Sequence, residues 1–173
     1  MIVVLMGVSG VGKTTLGRLL SARTGWKFED ADDYHSEENR QKMAAGISLT
    51  DADRGPWLNA LHERMLQCCQ KGESVFLACS ALKRRYREVL ADGFARDEMR
   101  FVYLHAPAAL IKKRMNARHH PYMNPDLLES QLATIEVPSD AWSITVDGTP
   151  EETASEILAR LSEAGLLTTG AGK

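Results

Sequence analysis

Apolar residues in this chain fall into short blocks separated by stretches of helical spacing. Met1-Ile2-Val3-Val4-Leu5-Met6 is an unbroken apolar run, too short to span a membrane and suited to a strand buried on both faces. Trp26-Lys27-Phe28-Glu29 alternates, Ser74-Val75-Phe76-Leu77-Ala78-Cys79 is a second buried run, and Arg100–Leu104 and Trp142–Val146 supply two more strands. Between them Leu16, Leu19 and Leu20 predict a helix from about Gly12 to Thr24, closed by Gly25. Ser36 caps a short polar helix ending near Gly46. Gly55-Pro56 opens a longer helix that buries Trp57, Leu58, Leu61 and Met65 and ends at Gly72. Ser80 caps the next, Pro107 starts another, and Asp126–Glu136 forms one more. Thr149-Pro150-Glu151-Glu152 is a capping box ahead of Ile157, Leu158 and Leu161. Strands alternating with helices predict a three-layer α/β fold with a parallel sheet. With no repeat or internal boundary, residues 1–165 read as one domain and 166–173 as a frayed tail.

The first apolar run leads directly into Gly7-Val8-Ser9-Gly10-Val11-Gly12-Lys13-Thr14. This is G-x-x-x-x-G-K-[ST], the P-loop, in its required context of strand, loop and helix. Glycines let the backbone N–H groups curl around an anion, and the following helix adds its positive end. Gly7, Ser9, Gly10, Val11, Gly12 and Thr15 belong to that cradle. Lys13 would reach the β- and γ-phosphates, and the Thr14 hydroxyl would ligate Mg²⁺ directly.

Other chemistry gathers at predicted strand ends. Asp30 and Asp32 close the second strand, and in an extended segment they point the same way. They could serve a magnesium-bound water and an acceptor hydroxyl, or form a solvated acidic turn. The third strand ends in Cys79-Ser80 where a P-loop protein often carries a Walker B aspartate, so Asp30 is the best candidate for the magnesium-side carboxylate. Arg54 could clamp a carboxylate bidentately or pair locally with Asp51 or Asp53. Lys83 and Arg84 oppose the dipole of their helix unless an anion sits there. Arg114 and Arg118 lie four apart on a helix that runs into His119-His120-Pro121-Tyr122. A phosphoryl-transfer lid, at about residues 115–126, needs such arginines and such a loop; a plain loop after a solvated cationic helix is the bland alternative. The His119-His120 pair has no cysteine or acidic residue at metal-site spacing.

Composition changes this picture only by exclusion. The 173 residues are 44% hydrophobic and 25% charged, ordinary for a globular domain. A net charge of −2 gives no support to nucleic-acid or anionic-membrane binding. No stretch approaches the roughly 20 apolar residues of a membrane helix, and the amino terminus lacks a signal-peptide pattern. Cys68, Cys69 and Cys79 have neither zinc nor disulfide spacing, which points to a reducing cytoplasm.

Taken together, these residues resemble the gluconokinase family of P-loop small-molecule kinases. The specific part is Asp30-x-Asp32-x-x-His35, Asn39, Lys42-Met43-x-x-Gly46 and Leu49-Thr50-Asp51-x-Asp53-Arg54-x-Pro56-Trp57-Leu58. Cys79-Ser80-Ala81-Leu82-Lys83-x-x-Tyr86-Arg87 and Leu127-Leu128-x-Ser130-Gln131 through Glu136-x-Pro138 continue it. The resemblance implies ATP-dependent phosphorylation of D-gluconate, a five-stranded sheet ordered 2-3-1-4-5 and a mobile lid. It implies that Asp32 activates the acceptor hydroxyl and that Asp30 acts through a magnesium-bound water. Arg54, His35, Lys83 and Arg84 would hold the acceptor, and Arg114 and Arg118 the nucleotide, Arg118 catalytically beside Lys13. Gluconokinases are often dimeric, so a homodimer is an expectation too. His120-Pro121-Tyr122 departs from the family's lid triplet, and Ala31 replaces a frequent glycine. A shikimate-kinase-like activity is the nearest alternative. A GTPase-like switch is the more distant one, and neither Asn-Lys-x-Asp nor Asp-x-x-Gly occurs in the chain.

Overall fold

The computed structural model describes residues 1–117 and 125–167. Five strands, Ile2–Met6 (β1), Lys27–Asp30 (β2), Val75–Ala78 (β3), Met99–His105 (β4) and Trp142–Thr145 (β5), form one parallel sheet in the order β2-β3-β1-β4-β5. The helices are Lys13–Thr24 (α1), Glu37–Ala44 (α2), Asp51–Gln70 (α3), Arg84–Ala91 (α4), Ala108–Ala117 (α5), Pro125–Thr134 (α6) and Pro150–Glu163 (α7).

The central strand shows why the sheet needs two covering layers. Successive side chains of β1 point to opposite faces, and every one of them is buried. Val3 and Leu5 enter a core shared with Leu16 and Leu20 of α1, Ile111 of α5, Leu128 of α6 and Ile157 of α7. Ile2, Val4 and Met6 enter the opposite core, with Leu58, Leu61 and Met65 of α3 and Leu90 of α4. At about 1.5–3 kcal/mol per fully buried aliphatic side chain, these two cores are the main force holding the layers together.

One contact fixes the spacing between α1 and the sheet. A Cβ on Gly17 would lie 2.3 Å from the Phe28 ring, so the ring of β2 occupies the space that a side chain on α1 would need. The first turn of α1 is thereby held close to the end of β2.

β1 lies between β3 and β4, so the chain leaves it toward one edge and later returns to build the other. Ligands bind outside the carboxyl ends of strands at such a switch point. The P-loop emerges there.

Local boundaries depart from the sequence pattern in four places. α3 starts at Asp51, five residues before Pro56, because Thr50 and Asp53 form a complete capping box upstream. Pro56 is thus inside the helix. Asp30 and Asp32 do not share an extended segment: Asp30 ends β2 and caps a 3₁₀ turn, Ala31–Tyr34, through its bond to the Asp32 N–H. Ser80 does not cap α4. That role falls to Lys83, after a turn in which Ala81 takes φ 43°. Leu166 and Leu167 are not part of a loose tail. They pack on the core beyond Gly165, whose φ of 67° turns the chain back. Residues 168–173 of the expected tail lie outside the described residues. Among the described residues no helix is long and apolar enough to cross a membrane.

Candidate active site

The phosphate loop depends on its glycines where the chain is tightest. Gly7 has φ 140°, and a Cβ there would sit 2.4 Å from the Leu104 carbonyl oxygen. Gly10 has φ 80°, and a Cβ would sit 2.6 Å from Met115 Cγ of α5. Gly12 takes φ 112° at the cap of α1. Val11 is buried in the core, which anchors the loop, and Thr15 follows Thr14 in the first turn of α1.

Lys13 folds back over this loop. Its Nζ donates to the carbonyls of Gly7 (2.9 Å) and Val8 (3.0 Å). Burial lowers its pKa, opposed by the charges of Asp32 and Asp30. One residue on, Thr14 Oγ1 donates to Asp30 Oδ2 at 2.8 Å. That pair suits a magnesium ion bound mainly by phosphate oxygens and water, with few protein ligands. Among the described residues no group of three or more His, Cys, Asp or Glu side chains forms a metal cage. Cys79, a buried thiol pushed up to about 12 by desolvation, is a poor substitute for the missing strand-end aspartate, because Mg²⁺ takes oxygen ligands.

Asp32 stands apart from that pair but in the same cleft. Its side chain is 84% exposed to water, so burial weighs on it only in part. This partial desolvation, and then the Asp30 carboxylate, raise its pKa, while Lys13 and Arg54 act in the other direction. A carboxylate near Lys13 and open to solvent can accept a proton from an incoming hydroxyl.

His35 is buried, stacked on Trp57 with ring centroids 4.4 Å apart. Desolvation, then the positive charges of Arg54 and Arg40, hold its pKa down to about 4. The ring is therefore neutral near pH 7 and brings no charge to an acceptor. Its Nε2 lies 3.9 Å from Asp32 Oδ1, beyond hydrogen-bond distance.

The cations divide sharply. Asp51 accepts from Lys83 Nζ at 3.0 and 3.2 Å, from the Tyr86 hydroxyl and from Arg85. These bonds, that of Tyr86 foremost, hold the Asp51 carboxyl well below the usual range. Asp53 is taken by Lys42 at 2.8 Å and by Thr50. Neither expected local partner is left for Arg54. Its guanidinium lies 5.9 Å over the Tyr86 ring, and among the described residues it has no ion pair. Arg54 is the open cation beside Asp32. Arg54→Ala should raise the acceptor KM about 10- to 100-fold with less effect on kcat, the range for losing a charged hydrogen bond. Steady-state kinetics over a range of acceptor concentrations would check this.

Arg84 does not join this cluster. Its side chain is exposed and bonds Glu88 at 2.8 Å, while its backbone N–H donates to Glu136 Oε2 at 2.5 Å. The anion that the sequence demanded at this helix end is thus the protein's own Glu136. Arg85 and Tyr86, not Arg84, join Lys83 around Asp51. Arg87 is buried and donates to the carbonyls of Ala81 (3.1 Å) and Leu82 (3.2 Å), holding the turn before α4. Arg114 donates to the carbonyls of Val146 (2.8 Å) and Gly148 (3.4 Å), tying α5 to the loop after β5. Arg118, His119 and His120, with most of the expected lid, lie outside the described residues.

A cavity of about 350 Å³ lies between α2 and α3, lined by Tyr34, Asn39, Asp53 and Trp57 among others. No P-loop residue, nor Asp30 or Asp32, lines it, so it adjoins the reactive cleft without being part of it.

A parallel sheet with its switch point at β1, a glycine loop leading into α1, and Lys13 and Thr14 at the start of that helix define a P-loop nucleotide-binding protein. A family model described as "AAA domain" matches residues 2–138. The chain is 42% identical to a probable gluconokinase of Mus musculus, over 94% of this chain and 96% of that protein. The crystal structure of a gluconokinase from Sinorhizobium meliloti 1021 superposes with a TM-score of 0.83 at 38% identity, covering 94% of this chain and 91% of that one. An unliganded sugar kinase from Janibacter sp. HTCC2649 gives 0.85 at 43%, covering 96% and 98%. The chain belongs to the gluconokinase family. A shikimate kinase from Aquifex aeolicus vf5 shares the fold at 20% identity, with a TM-score of 0.56.

Proposed function

We propose that this protein transfers the γ-phosphoryl group of ATP to a hydroxyl of D-gluconate, giving 6-phospho-D-gluconate. The observation that carries the reading is the pairing of an open guanidinium, Arg54, with a solvent-facing carboxylate, Asp32, in the cleft beside Lys13. A sugar acid has a carboxylate for the first and a hydroxyl for the second. The two differently named kinases among its similar structures fit the same reading.

In this mechanism Lys13 and the loop N–H groups other than that of Ser9, which Gln131 holds, bind the β- and γ-phosphates. Thr14 and Asp30 would hold Mg²⁺, Thr14 directly and Asp30 through water; the ion neutralises phosphate charge when bound. Arg54 anchors the acid end of the acceptor, and Asp32 orients the attacking hydroxyl and takes its proton. The transition state is loose, so positioning and electrostatics carry most of the catalysis. Arg118 and Arg114 belong to the nucleotide side, with a lid over residues 115–126. A cytoplasmic homodimer completes the proposal.

ADP release from purified protein with MgATP tests it. Strong stimulation by D-gluconate, with none by shikimate, is expected. Stimulation by shikimate alone would overturn the choice of acceptor.

A further inference from the structure

The limb of the phosphate loop at Ser9 and Gly10 is gripped from two helices. Met115 of α5 packs against Gly10. On the other side Gln131 of α6 binds the N–H and the hydroxyl of Ser9: the Ser9 N–H donates to Gln131 Oε1 at 2.7 Å, and Gln131 Nε2 donates to Ser9 Oγ at 3.0 Å. These partners are 122 positions apart in the chain. The helix that carries Gln131 is itself held at both ends. Leu128 is fully buried in the core that contains Val8 and Val11. Beyond the helix, the Glu136 N–H donates to the Leu82 carbonyl at 2.9 Å, and its carboxylate accepts from the Arg84 N–H. Thus α6 is a strut between the loop that faces phosphate and the turn that leads to Lys83 and Arg85.

We propose that Gln131 is a positioning residue for phosphoryl transfer, fixing the phosphate loop through Ser9 and relating it to the acceptor side through α6. The proposal rests on the kinase reading above. A carboxamide suits the task for two reasons. It is neutral, so it can hold a loop N–H without setting a negative charge beside the phosphates. It also has two Nε2 hydrogens, of which Ser9 Oγ takes one, leaving the other for a phosphate oxygen.

The neutrality of this group gives a test that a merely structural role would not satisfy. In Gln131→Glu the carboxylate can still accept from the Ser9 N–H, and the Ser9 hydroxyl can rotate to donate to it. The bracing survives, and only charge is added. Gln131→Met keeps the length of the side chain and removes both bonds. Steady-state kinetics with MgATP and D-gluconate would be combined with MgATP titration and nucleotide-free thermal melting. Gln131→Glu is expected to raise the KM and Kd for ATP about tenfold or more, since like charges inside a cleft are weakly screened. Gln131→Met is expected to lower kcat about tenfold with the gluconate KM within about twofold, the pattern of lost alignment. Melting points near wild type in both variants complete the expected result.

Wild-type ATP affinity in Gln131→Glu would overturn the proposal. So would losses that track a fall in melting temperature in both variants. Should wild type bind MgATP but transfer nothing to gluconate, the acceptor reading fails separately, and the titration of Gln131→Glu still decides the role of Gln131.

Discussion

Lys13→Ala is expected to lower kcat by about 10³-fold or more, the largest effect of any single substitution in this protein. Lys13 is the one ammonium inside the loop, and its Nζ rests on the carbonyls of Gly7 and Val8. Those carbonyls are weak partners for a buried charge, and desolvation already lowers its pKa. A bound polyphosphate offers a far better partner at the same place. In the transition state, charge spreads over the phosphoryl oxygens, so an ammonium fixed beside them stabilises it more than the ground state. Single-turnover transfer from ATP, with circular dichroism to verify folding, checks the prediction. Normal turnover in the variant would remove Lys13 from the chemistry.

Asp32→Asn is the second large effect, expected to cost about 10²- to 10⁴-fold in kcat, the range for losing a general base. The pH profile of the wild-type enzyme carries the same information. Partial desolvation and Asp30 raise the Asp32 pKa, and only the deprotonated form can accept a proton. Activity should therefore fall as pH drops through a pKa above that of an ordinary aspartate, and level off above it. Asp32→Asn should abolish that acid limb along with most of the rate. A wild-type profile that stays flat down to the range of an unperturbed carboxylate would count against this role.

The sheet was readable because its strands are short apolar blocks, and the P-loop because glycine, lysine and threonine stand at fixed spacing behind one of them. Boundaries were harder where two signals competed. Gly55-Pro56 is a sound helix start, but the Thr50–Asp53 box satisfies free N–H groups upstream, and the helix carries Pro56 at its sixth position despite the lost hydrogen bond and the clash with the i−4 carbonyl. Ser80 is a good cap residue by type, yet the chain turns through Ala81 before the helix begins. Arg85 and Tyr86 then stand beside Asp51, while Arg84 points to Glu88. Arg54 was visible as a candidate, but its freedom depends on where Asp51 and Asp53 find their own partners. The hold of Gln131 on Ser9 left no local trace, since nothing near either residue in the chain specifies the other.

The close contact of Gly17 with Phe28 has a bearing on ion affinity. Thr14 rides on α1, whereas Asp30 ends β2, so the two halves of the proposed magnesium site belong to different layers. Their separation is the gap between helix and sheet, and the Phe28 ring sets that gap like a shim. A methyl group added at position 17 would wedge the layers apart and stretch the distance between hydroxyl and carboxylate. The strength of metal binding at that proposed site would in this sense be adjusted from the hydrophobic interior, by Gly17 and Phe28.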